Sequence, residues 1–209
     1  MIKKLFVMAC LVASSISVNA QASKAFDATE IVWYGLDFTK AHFVGQFDQG
    51  AGAAPASGAD MKNRWMNSWN QLIAKEPQNF KIKEAFKKDN VYYDMATVTD
   101  LNSKVDETKI MTFNPAKLDP KEIDGMVKKY KQGDKKDGVG LSFIIDNFDK
   151  GTETASVYVT FFDIATNKVL LCHEMTGKAA GIGMRNYWAG AIKVILKQLM
   201  KDEDYKTWK

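Results

Sequence analysis

The side chains of this sequence that could do chemistry cluster between positions 146 and 186. Cys172-His173-Glu174 sets a thiol, an imidazole and a carboxylate in a row, the groups that a nucleophile, its base and an orienting acid would need. The row lies in a β-rich stretch, where adjacent side chains point to opposite faces, so the three cannot act as a triad by themselves. His42 is the only other histidine, and nothing in the spacing relates it to Cys172. Beside Leu170 and Leu171 the thiol reads as a buried structural group. No catalytic residue is assigned on this evidence. A hydrolase or transferase would need a site gathered from distant positions such as Asp37, His42 and His173.

Asp146, Asp149 and Glu153 surround Gly151 in the manner of a calcium loop. With Gly151 as the sixth position of such a loop, however, Phe148 and Lys150 fall where ligands belong. The stretch therefore reads as a turn, and no metal or cofactor is expected. Trp65 and Trp69 share one helix face and could stack on a sugar. Met61 and Leu72 lie on that same face, which makes core packing the better reading.

The remaining candidate is the bend Gly177-Lys-Ala-Ala-Gly-Ile-Gly183 before a helix, where free backbone amides and the helix dipole favour an anion. The amides near Gly181 and Gly183 would donate, Lys178 or Arg185 would supply charge, and Asn186 follows. The spacing matches neither phosphate fingerprint: no Gly-Lys-Ser/Thr ends the loop, and the third glycine position is Asn186. The competing reading is structural. The glycines would let the bend approach a sheet closely, Arg185 would pair with a strand carboxylate such as Asp163, and Asn186 would bond the bend's own backbone.

These groups are positioned by a legible succession of elements. Ser156–Ile164 and Lys168–Thr176 are rich in β-branched and aromatic residues and predict a hairpin, with Asn167 at positive φ in its turn. Met184, Trp188, Ala191, Ile192, Ile195 and Leu199 form one apolar stripe and predict a helix packed across that hairpin. Upstream, Ile31–Phe38 reads as a buried strand, Gly50–Gly58 as a flexible loop, and Asp60–Lys75 as a helix stopped at Pro77. Phe80–Phe86 and Val91–Val98 look strand-like, and Asp119-Pro120 with Glu122 opens a helix reaching about Gln132. Val139–Asn147 completes a three-strand meander. The predicted fold is an α/β two-layer sandwich, a mixed, largely antiparallel sheet of about five strands with three helices.

The 209 residues are 46% hydrophobic and 26% charged, a globular profile. Lys3 and Lys4 precede an apolar run too short to span a bilayer, and Val18-Asn-Ala20 resembles a signal-peptidase site. Residues 1–20 therefore read as a secretory signal and 21–209 as a single α/β domain; lipidation at Cys10 is disfavoured because the chain stays apolar beyond it. Removing the signal takes away two lysines and no acidic residue, so the formal charge falls from +4 to +2, too small for a nucleic-acid polycation. It also leaves Cys172 alone, with no internal disulfide. No transmembrane segment follows.

Phe161-Phe-Asp-Ile-Ala-Thr166 followed by Gly181-Ile-Gly-Met-Arg-Asn-Tyr-Trp188 resembles a family of uncharacterised secreted proteins of Bacteroidota. The element order is loosely similar to envelope domains such as the amino-terminal domain of TolB. The resemblance implies export and brings no catalytic residues. The expected function is that of an exported, non-enzymatic binding or scaffolding protein, periplasmic or extracellular. Its expected partner is another envelope protein or a small anionic ligand.

Overall fold

A computed structural model gives the fold and describes residues 22–201 and Trp208. The signal segment 1–20, Cys10 and most of the polar tail after Lys201 lie outside the described residues. Seven strands form one sheet: β1 Glu30–Asp37, β2 His42–Val44, β3 Asn90–Tyr93, β4 Met111–Thr112, β5 Val139–Asp149, β6 Thr154–Asp163 and β7 Lys168–Lys178.

This corrects the largely antiparallel two-layer sandwich of about five strands. Along β3-β1-β5-β2-β4 every pairing is parallel, and only β5–β6 and β6–β7 are antiparallel. The reason lies in the connections. Parallel neighbours need crossovers of a dozen residues or more, usually helical, and the segments between β2, β3, β4 and β5 supply them. The strand-like run Phe80–Phe86 is helical, in two turns, Pro77–Phe80 and Ile82–Ala85, broken at Lys81 with φ 48°. Val91–Val98 is strand only to Tyr93 and then becomes the helix Ala96–Ser103. The helix after Asp119 is short, Pro120–Glu122 in 3-10 form and then Ile123–Val127.

The helices cover both faces. On one face the helices Met66–Lys75 and Gly183–Lys201 pack on Leu141, Phe143, Val157, Val159 and Phe161. On the other, Val98, Ile123, Met126, Val127 and Tyr130 pack on Val32, Ile144, Tyr158 and Phe162. The last helix lies close on β7: a Cβ on Gly177 would come within 2.1 Å of the Ala191 carbonyl oxygen, and one on Gly190 within 1.8 Å of the Ala180 carbonyl oxygen. The two glycines permit that approach.

β6 occupies one edge of β5 along its length, so β1 and β2 share the other, β1 against residues 140–144 and β2 against 147–149. The chain breaks from strand between them, at 38–41. A bulge at Trp33/Gly35 shifts the register of β1, which puts Leu36 and Phe38 on the face of Trp33 and turns Asp37 to the opposite one. Beyond Trp33 no strand borders β1 on its outer side, and two buried side-chain amides take a strand's place. Asn70 accepts from the Leu36 amide at 2.7 Å and donates to the Leu36 carbonyl at 3.0 Å. Asn102 accepts from the Phe38 amide at 2.7 Å and donates to the Leu36 carbonyl at 2.9 Å. Buried backbone groups need such partners.

The segment before β1, polar in sequence, is docked. Residues 22–27 form a helical turn, Ala25 is fully buried, and Lys24 pairs with Asp163.

Candidate functional site

β2, β4 and β5 are parallel and end together, with Val44 beside Thr112 on one side and Asp149 on the other. In open α/β sheets the crevice outside the carboxyl ends of the strands is where ligands bind. Here that crevice holds a cleft of about 310 Å³ lined by Phe47, Asp48, Lys150, Glu153, Gly183 and, from the first turns of the last helix, Met184, Tyr187 and Trp188.

Its floor is aromatic and rigid. Trp188 stacks on Phe148 with centroids 5.0 Å apart and meets Phe47 at 4.9 Å and Tyr187 at 5.6 Å. Phe47, fully buried, anchors the loop after β2, and Trp65 donates from its indole nitrogen to the Gln49 side chain at 3.1 Å, pinning the same loop further on. Trp69 donates to the Arg185 carbonyl at 3.1 Å and so fixes the first turn of the last helix against the helix Met66–Lys75. Trp65 and Trp69 stack at 6.2 Å within the core and present no sugar platform.

The rim is charged. The Lys150 ammonium lies 5.3 Å from the centre of the Tyr187 ring and makes no ion pair among the described residues. The Tyr187 hydroxyl bonds to Glu153; that bond, helped by burial and the carboxylate's charge, pushes the phenol up to about 12. Asp48 is exposed beside them. A broader groove of about 830 Å³ adjoins the cleft, sharing Asp48 and Lys150 and continuing along Val44, Gly45, Gln46, Phe113, Asp149 and Gly151.

The five positions chosen from sequence are divided by the fold. Gly183, at φ 76°, lines the cleft. Lys178, Gly181, Arg185 and Asn186 are exposed and lie outside its lining. Arg185 does not pair with Asp163, which holds Lys24; its Nε donates to the Asn186 side chain at 3.2 Å. The bend is closed instead by the Ala180 amide, which donates to the Tyr187 carbonyl at 3.0 Å. Lys150, Glu153, Met184 and Tyr187 are the residues that were missed as a set. Helical phase is the signal for Met184, which stands one turn from Trp188 on the buried side of the helix where Arg185 does not; Lys150 and Glu153 lie in the turn between β5 and β6 and carry no such signal.

The carboxylates near Gly151 do not converge. Asp146 accepts from the Leu118 amide and Asn147, Asp149 accepts from the amides of Gly151 and Thr152, and Glu153 serves Tyr187. Among the described residues no group of three or more His, Cys, Asp or Glu is arranged to hold a metal.

Asp37, His42, Cys172 and His173 stay separate. Asp37 is buried and accepts from Thr39 and Tyr130. Cys172 is half-buried, 3.5 Å from the Thr160 hydroxyl, and burial raises its thiol above the usual range. His173 stacks on Trp208 at 4.3 Å, and burial lowers its imidazole. Among the described residues no hydrogen bond joins either histidine to a carboxylate or thiol.

No helix among the described residues is long and apolar enough to cross a membrane. Comparison of the chain with protein-family models, with curated proteins and with solved structures gives no match.

Proposed function

We propose that this is an exported, non-enzymatic binding protein of the envelope or extracellular space, whose ligand occupies the cleft at the carboxyl ends of β2 and β5. The observation that carries the reading is the cleft itself. It has an aromatic floor of Phe47, Tyr187 and Trp188, whose rings pack on one another and on Phe148, and the Lys150 ammonium at its rim has no ion-pair partner among the described residues. A concave, preformed, mostly apolar hollow with a few polar groups is what small ligands need. Its volume suits a ligand or side chain the size of an aromatic ring with a short polar arm. The non-enzymatic part of the reading rests on the scatter of Asp37, His42, Cys172 and His173, which no hydrogen bond among the described residues brings together.

The test is a thermal-shift titration with phenylpropionate and phenylpropylamine, read also through the fluorescence of Trp188. Either compound should raise the melting temperature, because a ligand that binds only the native state stabilises it. Lys150→Met should lose the response to the carboxylate and keep that to the amine. Lys178→Ala, outside the cleft, should behave as wild type. Absence of any shift at millimolar concentration of both compounds would overturn the reading. Export is tested separately, by mass spectrometry of the protein recovered outside the cytoplasm: its first residue should be Gln21, and a first residue of Met1 would refute removal of the signal.

A further inference from the structure

We infer that the occupant of the cleft is a polypeptide: an extended, basic segment of a partner protein that inserts one apolar or aromatic side chain against Met184 and Tyr187. The inference rests on the cleft being a binding site and specifies what binds there.

Three observations lead to a chain rather than a small molecule. The first is shape. The 310 Å³ cleft has the size of a single large side chain, and the shallower groove of about 830 Å³ runs on from it past the shared Asp48 and Lys150. An anchor pocket continued by a trough is the form in which one side chain is read while the flanking backbone is laid alongside.

The second is exposed apolar surface. Phe113, in the groove wall, is 73% exposed, and Ile182, which immediately precedes Gly183 of the cleft, is 92% exposed. These are two of the four large hydrophobic side chains left exposed among the described residues. A metabolite filling the cleft would cover neither of them. An exposed aromatic side chain standing in the wall of a groove that runs on from an apolar pocket is instead a feature of a protein-contact site.

The third is charge. Asp48, Asp149 and Glu153 line the two hollows against the single ammonium of Lys150. Asp149, beside the trough, turns one oxygen to the amides of Gly151 and Thr152, and Glu153, beside the cleft, accepts from Tyr187. An excess of carboxylates around an apolar pocket complements lysine or arginine on either side of an apolar anchor and repels acidic chains.

Fluorescence anisotropy with three end-blocked, fluorescein-labelled pentapeptides tests this on the purified protein: Gly-Lys-Phe-Lys-Gly, Gly-Glu-Phe-Glu-Gly and Gly-Lys-Ala-Lys-Gly. The first should bind, weakening as salt is raised, and the other two should bind at least about tenfold less well, since both the anchor and the flanking charges are read. Asp48→Asn and Phe113→Ser should each weaken the first peptide by about threefold, the size of a rim contact, with an unchanged melting temperature that shows the fold intact. Phe113→Ser should leave phenylpropylamine binding untouched. If the amine binds while the peptide does not, or if Phe113→Ser has no effect on the peptide, the occupant is a small molecule and the inference falls while the cleft stands. If the peptide, the amine and phenylpropionate all fail to bind, both fall.

Discussion

Tyr130 donates its hydroxyl to Asp37 at 2.7 Å in the buried space between the sheet and its covering segments, and the same hydroxyl lies 3.1 Å from that of Ser142, which donates to the Gly35 carbonyl. The bond ties the segment after the helix Ile123–Val127 to the end of β1, where the strand breaks. Tyr130 is held in turn by Asn167, which donates to its carbonyl at 2.7 Å.

Tyr130→Phe should lower stability by about 1–3 kcal/mol in urea unfolding, because it leaves a buried carboxylate short of a donor. Desolvation, reinforced by the charge of Asp37, raises the Tyr130 phenol well above 10. In the native state it therefore keeps its proton at pH values where the unfolded phenol gives it up. Its contribution is fully present below the unfolded pKa near 10 and is lost as pH rises beyond it. The variant should show a flatter loss of stability above about pH 10 than wild type. Equal slopes would remove Tyr130 from the account of alkaline unfolding.

Lys88 is buried, and its ammonium donates to the carbonyls of Ala25, Phe26 and Ala28 at 2.8, 3.1 and 2.7 Å. A cation placed on the terminal carbonyls of a helical turn supplies donors that the turn itself does not. Lys88→Met keeps most of the apolar stem and removes the donors, so it should cost about 1–3 kcal/mol. Amide hydrogen exchange should accelerate first in residues 22–29. Uniform acceleration across the sheet would mean that Lys88 holds the whole fold and not this segment.

The same substitution should have opposite signs at two helical glycines. Gly190→Ala sets a methyl against the Ala180 carbonyl at 1.8 Å, forcing the last helix away from the bend at a cost of about 1–3 kcal/mol. Gly125, in the helix Ile123–Val127, has nothing within 4 Å of its missing methyl. Gly125→Ala should stabilise by about 0.5–1 kcal/mol through helix propensity alone. Chemical denaturation of the two variants decides; a stabilised Gly190→Ala would show that the helix has room to move.

How much of this was legible in the sequence depends on the range of the interactions. The β5–β6–β7 meander and the last helix were readable because their signals are local: alternating apolar residues, the turn at Asp149-Lys150-Gly151, and Asn167 at φ 53°. The parallel half was not. Periodicity carries no strand direction, and β1 finds its partners only at Asn90 and Gly140. Phe80, Ile82 and Phe86 alternate as a strand would, yet a left-handed Lys81 breaks them into two helical turns. The bulge in β1 turned Asp37 to the face opposite the one that strict alternation gives. Of the site, only Gly183 was foreseen in its place, since Asp48 and Lys150 sit on loops brought together by the topology.

The divided neighbour of β5 also sets an order in time. Val32 must wait for Tyr92 on one side and Gly140 on the other, and Val44 for Asp149, so the apolar run of β1 leaves the ribosome well before its partners. β5, β6, β7 and the last helix lie consecutively and close short loops, the contacts that form fastest. Folding should therefore nucleate at the carboxyl end, and in stopped-flow measurements Val157→Ala should slow folding while Ile31→Val mainly speeds unfolding. A chain whose first strand is completed only by β5 carries that apolar strand unfinished through more than half of its synthesis.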